Sequence, residues 1–539
     1  MRPRELPKNF PMNEASFSND YDELPYPPFS FPQTHIGRLA AIGRLFGLST
    51  ADPGVARVLE LGCGAGTNLL AMAQAFPEAE FVGIDYSATH VRTANGALAG
   101  TGLENARFVC EDIAKLQLEG EGFDYIVAHG VYSWVPAETR EALLRKVREV
   151  LKPQGVALVS YNCLPGWGMR GALRDMMLLH TAGIAEVRAK VPQARALLKF
   201  LAEASSGDAV YGKYLGLELE KLSKADDSYI AHDFLEKENR AFYFLDFLKA
   251  AERHGLAYLS EDTPGSMVPE NLPEGAARTL QSLKLNQVAM EQYMDFVRNR
   301  TFRSTLLCHA RNTLDRNIGY ERLRGFRVFP IAMPVPGNAS QRGAAVFRLP
   351  DSREIRLEDA LVADLLQTAA RHPGRLDAVE LIDEVAGRHA GRFTGMDGDS
   401  IRRHVGGTLI HSYLRNFVDF TFGELCRRRA RGPATHPEAL PLARWQASQG
   451  WKMSSLRLEM FMPDPFVARL IGFCDGSRDV EGLTNAMVEE VVRGELAPPP
   501  GIDPRTASEA LRAEIGRHCA SCLAALENRG LLLSRGGGQ

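Results

Sequence analysis

The turn Glu60-Leu-Gly-Cys-Gly-Ala-Gly66 constrains this chain most, because it sits between a strand-like run and a helix-forming run. Val58-Leu-Glu-Leu61 reads as the strand, and Thr67 to Phe76 as the helix that Pro77 ends. Alternate glycines permit a tight turn and let a ligand approach the backbone closely. Such a turn needs a sheet to hold it. Phe81-Val-Gly-Ile84, Arg107-Phe-Val-Cys110, Phe123-Asp-Tyr-Ile-Val127 and Val156-Ala-Leu-Val-Ser160 are further short apolar runs, spaced by amphipathic segments. This alternation predicts an α/β fold, a parallel sheet with helices on both faces. One such helix, Glu138 to Leu151, places Leu143, Leu144 and Val147 on one face and stops at Lys152-Pro-Gln-Gly155.

After the fifth strand, Met169 to about Leu222 carries long helical patterning and reads as an insertion. A strand-like run at Tyr229-Ile-Ala-His-Asp233, a helix at Phe244 to His254 and a last strand at Gly255-Leu-Ala-Tyr-Leu259 follow. Beyond Pro264 the alternation is lost. Leu280 to Leu314 reads as mostly helical, and Phe326 to Leu349 as extended. Leu357 to Leu425 reads as short helices, and Arg427-Arg-Arg429 with Gly432-Pro433 as a linker. A final unit of helices spans Leu440 to Leu533; it includes the turn Asp475 to Asp479 and the loop Pro498 to Gly501, and a disordered Gly536-Gly-Gly538 follows it. The length, 539 residues, suits roughly three domains. The expected division is a leader over 1–55, a core over 56–265 with an insertion at about 168–225, a middle domain over 266–430 and a last domain over 431–539.

The formal charge of −3 gives no global field to recruit nucleic acid or an anionic membrane. Neither a signal peptide in Met1 to Phe17 nor a run of about 18 apolar residues is present, so a cytoplasmic chain without membrane insertion is expected. The eight cysteines read as reduced core thiols. Cys519 and Cys522 share a helix face with Leu511, Ile515, Leu523 and Leu526, so no metal site is expected.

Chemistry concentrates at the ends of the strands. Asp85 ends the second strand 19 residues after Gly66, where an acid can bind two ribose hydroxyls. That geometry serves either a nicotinamide dinucleotide or S-adenosylmethionine. Three details favour the latter. Glu60 before the first glycine suits a cationic amino-acid group better than a pyrophosphate. Thr67 breaks the dinucleotide spacing. Asp112 after the third strand can accept the adenine amino group while Ile113 packs on the ring. The ligand set is therefore Glu60, Gly62, Cys63, Gly64, Gly66, Asp85, Tyr86, Asp112 and Ile113, joined by His129 and Gly130.

The fourth strand runs into His129-Gly-Val-Tyr-Ser-Trp134 and the fifth into Ser160-Tyr-Asn162, with Pro165-Gly-Trp167 beyond. These segments meet at the ligand's reactive end. Tyr132, Tyr161 and His129 are the candidate catalytic groups; Trp134, Asn162 and Trp167 are candidate acceptor contacts. His129 reads either as a base or as a ring packed on adenosine.

The glycine turn, His129-Gly-Val-Tyr-Ser-Trp-Val135, Ser160-Tyr-Asn162 and Pro165-Gly-Trp167 resemble bacterial class I methyltransferases that carry a methyltransferase regulatory domain. Glu291-Gln-Tyr-Met-Asp-Phe-Val-Arg-Asn-Arg-Thr-Phe-Arg303 is similar to that domain's most specific segment. The resemblance includes the protein-lysine methyltransferases of outer-membrane proteins. It implies a Rossmann-like seven-stranded sheet with winged-helix-like C-terminal modules. Tyr21 to Tyr26 and Phe31-Pro-Gln-Thr-His35 match too, which implies a leader folded over the cofactor through Tyr26, Gln33 and His35. The implied activity is N-methylation of lysine in a protein substrate, an outer-membrane or surface protein, by in-line transfer from S-adenosylmethionine. A homodimer is compatible with it. Methylation of a small molecule at O or N, or a regulatory protein that senses the cofactor, are the other readings.

Overall fold

The computed structural model describes residues 24, 26–118, 120–335, 345–374, 376–428, 430, 435–498 and 509–533. The expectations for Met1 to Phe17, most of Tyr21 to Tyr26, Gly432-Pro433 and Gly536 to Gly538 lie outside the described residues, as do Arg429 and most of the Pro498 to Gly501 loop.

A seven-stranded mixed sheet organises the first three hundred residues. Its strands are β1 (Arg57–Leu61), β2 (Glu80–Asp85), β3 (Ala106–Cys110), β4 (Phe123–Ala128), β5 (Leu151–Asn162), β6 (Leu256–Glu261) and β7 (Phe302–His309). Their order is β3-β2-β1-β4-β5-β7-β6, with β7 antiparallel to both neighbours. Helices α1 (Ile36–Leu45), α2 (Thr67–Ala73), α3 (Ala88–Thr101) and α4 (Ala137–Val150) belong to this layer. All six residues of β4 are buried, as expected of a central strand covered on both faces. Ser87 caps α3 by accepting from the His90 N–H, and Gly102 ends it in the left-handed region.

The final strand departs from the sequence reading. The segment expected to be helical up to Leu314 leaves its helix at Arg298 and becomes β7, so the catalytic sheet continues past residue 265 to residue 309. Arg303, Ser304 and Thr305 hid this strand, because they are polar and yet buried between β5 and β6. The strand-like run at Tyr229 to Asp233 is helical: Asp227–Ile230 continues into a wider turn, Ala231–Leu235. Ile230, Ala231, Phe234 and Leu235 fill the insertion core from one helical face, and a strand would have split them between two faces.

That insertion is α5 (Trp167–Thr181), α6 (Val187–Ala204) and α7 (Val210–Ser223), with its own core around Leu173, Leu198 and Leu215. α8 (Phe244–Arg253) leads back to β6. Next come α9 (Glu274–Ser282) and α10 (Gln287–Arg298), which precede β7.

A middle unit pairs β8 (Phe326–Pro330) with a later strand, β12 (Val418–Phe422). Between them lie β9 (Met333–Pro334), β10 (Ala345–Arg348), β11 (Glu354–Leu357), α11 (Ala360–Arg371), α12 (Ala378–His389) and α13 (Gly398–Leu414). α1 is apolar nearly all round and serves as a wedge: Ile36 and Leu39 join the catalytic core, while Ala41 and Leu45 join the middle one. Full burial of each large side chain stabilises by roughly 1.5–3 kcal/mol, so this helix ties the two units together.

The last unit contains α14 (Pro441–Ser448), β13 (Met453–Ser454), β14 (Met460–Phe461), α15 (Pro465–Phe473), α16 (Val480–Val492) and α17 (Glu509–Asn528). Cys519 lies buried on α17 with Leu511, Ile515 and Leu526. The unit docks on the catalytic layer through Trp445, which covers Gly100 so closely that a Cβ there would meet its ring at 2.2 Å. Arg427 and Arg428 are not linker residues. Their backbone N–H groups donate to the Ala75 carbonyl, the Arg427 side chain pairs with Asp52 and that of Arg428 bonds the Gln74 carbonyl. Arginines so placed close the C-terminal end of α2, where helix carbonyls need donors.

Candidate active site

The glycine turn crosses from β1 to α2 with Gly62, Gly64 and Gly66 at φ of 78°, 53° and 74°. A Cβ at Gly66 would lie 2.6 Å from the Phe108 ring, so only glycine closes this turn. Gly62 lies as tightly beneath Val131. Gly64 instead borders open space: among the described residues, its chain neighbours aside, no atom lies within 4 Å of its would-be Cβ. Cys63 is buried in the turn, and burial pushes its thiol well above the ordinary value.

Glu60 is buried at the end of β1 with 3% of its surface exposed. Its Oε1 accepts from Asn68 Nδ2 at 2.8 Å, and its Oε2 has no partner among the described residues. Burial raises this carboxyl to about 8, with Asp85 adding to the rise and Asn68 opposing it. A cation beside Oε2 would satisfy the atom and restore the charge, which fits the ammonium of an amino-acid ligand. Asp85 Oδ2 accepts from Gly64 N at 2.7 Å and Oδ1 from Ser87 N at 2.9 Å, and His90 Nδ1 is 3.4 Å away. The carboxylate thus fixes the turn and keeps lone pairs for further donors. Tyr86 is exposed beside it, Asp112 Oδ1 accepts from Ala114 N, and Ile113 is buried next to Asp112.

On the other side of the turn, Gly130 N donates to Ser160 Oγ at 2.7 Å, which joins the ends of β4 and β5. His129 packs on Phe31 at 4.3 Å and Phe302 at 5.7 Å between ring centroids. Its Nε2 is 3.4 Å from Gln33 Nε2, and its Nδ1 is unpartnered. Burial lowers its pKa to about 4, so the ring is neutral near pH 7 and a poor proton acceptor.

Tyr132 and Tyr161 do not form an open rim. Both are buried: Tyr161 stacks on Phe247 at 4.1 Å, and Tyr132 meets the same ring edge-on at 5.1 Å. Their side chains pack on the α8 side, whereas Ser160 bonds Gly130 at the strand ends. Alternation along β5 sends successive residues to opposite faces, so Tyr161 and Ser160 cannot share one. Burial raises Tyr132 to about 12 and Tyr161 well above its ordinary range. Trp167 is buried against Phe234, and the Trp134 indole N–H is buried without a partner.

His35 is also displaced from its expected place. It caps α1 by accepting from Gly37 N at 3.0 Å, and burial pulls it down to about 3. Tyr26 instead bonds the insertion, donating to Asp233 Oδ2 at 2.7 Å. Sequence reasoning missed Asn68, whose Oδ1 accepts from Phe31 N and Thr34 Oγ1 while its amide serves Glu60. A buried asparagine in the first turn of α2 was the available signal. It also missed Asn239, which accepts from Asn162 Nδ2 at 2.8 Å and sits in a loop without pattern.

A 3-2-1-4-5-7-6 sheet with an acid at the end of β2 defines the class I methyltransferase fold. Residues 58–155 match a family described as methyltransferase domain, 226–309 one described as predicted methyltransferase regulatory domain, and 436–531 the PKMT C-terminal winged helix domain. Two proteins of Rickettsia prowazekii (strain Madrid E) are each 37% identical. The alignment with uncharacterized protein RP028 covers 43% of this chain and 94% of the relative. That with uncharacterized protein RP789 covers 59% of this chain, which thus spans little more than half, 57%, of that relative's length. The solved structure of PKMT2 from Rickettsia typhi is 28% identical, covers 94% of this chain and 100% of its own, and superposes with a TM-score of 0.79. That protein is also known in complex with AdoHcy. The chain belongs to the bacterial class I S-adenosylmethionine-dependent methyltransferases that carry this regulatory domain.

Proposed function

We propose that this methyltransferase N-methylates lysine side chains of a protein substrate. The observation that carries the reading is the likeness to PKMT2, which runs through the insertion, middle and C-terminal units rather than the catalytic sheet alone. Tyr132 and Tyr161, expected at the acceptor, lie in the core, so they favour neither lysine nor a small molecule. The acids and glycines of the turn are all present, which speaks against a dead pocket. Among the described residues no helix is long and apolar enough to cross a membrane. An outer-membrane or surface protein methylated in the cytoplasm belongs to the same proposal, as the family resemblance suggests.

When bound, S-adenosylmethionine supplies an activated methyl group on a sulfonium. On this reading Glu60 Oε2 takes the cofactor's ammonium, Asp85 its ribose and Asp112 with Ile113 its adenine, and Gly64 leaves room for it. Gly62, Cys63, Gly66 and Tyr86 shape that wall. The leader helps close the site: Phe31 and Gln33 cover His129, and Asn68 links the leader to Glu60. The protein aligns the acceptor nitrogen with the methyl group and excludes water.

Asp85→Ala is expected to weaken S-adenosylhomocysteine binding by at least about tenfold, near 1.4 kcal/mol, in calorimetry. Unchanged affinity would remove the ribose assignment. The acceptor class is tested in lysate from a strain deleted for this enzyme, supplied with labelled cofactor and the purified protein. Methyl-lysine in protein digests is the expected result; label confined to small molecules rejects the lysine reading.

A further inference from the structure

Eight carboxylate side chains are buried among the described residues. Six have an arginine or lysine nitrogen within 3.3 Å: Asp124 with Lys152, Glu218 with Arg170, Glu490 with Arg469, and Glu261, Glu291 and Asp295 with Arg303. The other two, Glu60 and Asp233, have no such partner. A buried carboxylate with no cation in direct contact is unfavourable when charged, so each is a place for a cation to arrive. Lysine methylation brings two ammonium groups to this chain, one on the cofactor and one on the acceptor. Glu60 lies on the cofactor side.

Asp233 lies on the acceptor side, with 8% of its surface exposed. Asn162 at the tip of β5 donates from Nδ2 to Asn239 Oδ1 at 2.8 Å, and Asn239 Nδ2 donates to the Asp233 carbonyl at 2.7 Å. Phe242 N bonds the Asn162 carbonyl and Arg240 N the Ser133 carbonyl, which seats this segment over the ends of β4 and β5. From the leader, Tyr26 donates to Asp233 Oδ2 and stacks on His232 at 4.5 Å. We propose that Asp233 is the subsite for the acceptor's ammonium group and takes its proton before methyl transfer, an inference that rests on the lysine reading.

The proton passes from the ammonium to the Asp233 carboxylate, leaving a neutral amine and a carboxylic acid. The amine's lone pair then forms the new C–N bond while the methyl carbon–sulfur bond breaks, and that electron pair stays on sulfur. The products are a protonated methylamine and S-adenosylhomocysteine, and Asp233 returns its proton to water. Burial raises this carboxyl to about 6, while the Tyr26 hydrogen bond and the charges of His232, Arg170 and Lys221 oppose the rise. Tyr229, Glu236 beside His232 and Glu218 beside Arg170 are further titratable groups near it.

The test titrates n-butylammonium chloride into the full-length protein saturated with S-adenosylhomocysteine. Saturable binding is expected near neutral pH, weakening as pH falls through about 6 and the carboxylate protonates. Asp233→Asn should weaken it by about tenfold or more while S-adenosylhomocysteine affinity stays unchanged. Tyr26→Phe removes a bond that favours the carboxylate, so its pH limb should move upward; a purely structural role would leave the limb in place. That second variant decides the matter if Asp233→Asn folds poorly. No saturable binding by the wild type, or equal binding by Asp233→Asn, overturns the proposal. Amine binding through Asp233 without methyl-lysine in lysate would defeat the lysine reading and leave an amine subsite. Equal methyl-lysine from wild type and Asp233→Asn would defeat only the subsite.

Discussion

Arg303→Met is expected to destabilise the catalytic unit by about 3–5 kcal/mol, the usual cost of removing one partner from a buried ion pair. Arg303 is 1% exposed, the second residue of β7. Its Nε and Nη2 each meet an Asp295 oxygen at 2.9 Å, and Nη1 lies 2.7 Å from Glu261 and 3.2 Å from Glu291. Its guanidinium also covers the Phe244 ring at 3.7 Å. Methionine fills similar volume, so the loss is electrostatic rather than a cavity. Arg300 reaches Glu261 but sits outside the cluster's centre and cannot replace the fork. Burial alone would raise the Glu261 carboxyl, yet Arg303 and Arg300 hold it below its ordinary value. Its contribution is therefore present above the unfolded carboxylate pKa and fades as pH falls through the lower folded one. Burial shifts Glu291 and Asp295 the other way, so they contribute in the opposite sense. The variant should lose only the Glu261 share of the acid dependence along with the stability. Denaturant unfolding followed by circular dichroism measures both, with the earliest transition moving to lower denaturant; several units make a single two-state fit inappropriate. An unchanged first transition would show that the cluster does not hold the sheet together.

The same cluster explains why the sequence disclosed the sheet only as far as β6. Strands β1, β2 and β4 announce themselves because most of their buried positions are apolar, with Glu60 and Asp124 the polar ones. β7 buries an arginine, a serine and a threonine, whose partners come from β6 and α10, so its pattern makes sense only in three dimensions. The resemblance did flag Glu291 to Arg303 as specific, and the structure gives the reason: three of its residues, Glu291, Asp295 and Arg303, are that cluster. The candidate site was legible to a different degree. Asp85, Asp112 and the glycines were readable because their places follow from strand ends. Tyr132 and Tyr161 were not, since a residue's distance from a strand end does not give its face. A single β-register step separates the ligand side from the core. Asp233 escaped because the helical turn that carries it mimicked a strand, and the proposal for it rests on burial without an arginine or lysine in direct contact, which sequence does not display.

Two glycine substitutions should separate folding from ligand binding in the turn that opened the case. Gly66→Val is expected to abolish cofactor binding together with the local fold. Its Cβ would meet the Phe108 ring at 2.6 and 2.7 Å and the Ala94 Cβ at 2.8 Å, with φ at 74°. A β-branched residue adds both overlap and left-handed strain, and β2, β3 and α3 leave it nowhere to move. Gly64→Ala is expected to behave differently. Left-handed backbone costs alanine roughly 1–2 kcal/mol, but among the described residues, chain neighbours aside, its Cβ meets no atom within 4 Å. The fold should survive that cost. Affinity for S-adenosylhomocysteine should nevertheless fall by about 30-fold or more, because the open space beside Gly64 is where the proposed ligand must pass its backbone. Thermal unfolding monitors the first quantity and calorimetry the second. A Gly64→Ala protein that binds normally would place the ligand elsewhere, even if Gly66→Val failed to fold. Reduced binding in a well-folded Gly64→Ala protein locates the cofactor against this turn by a measurement that owes nothing to family likeness.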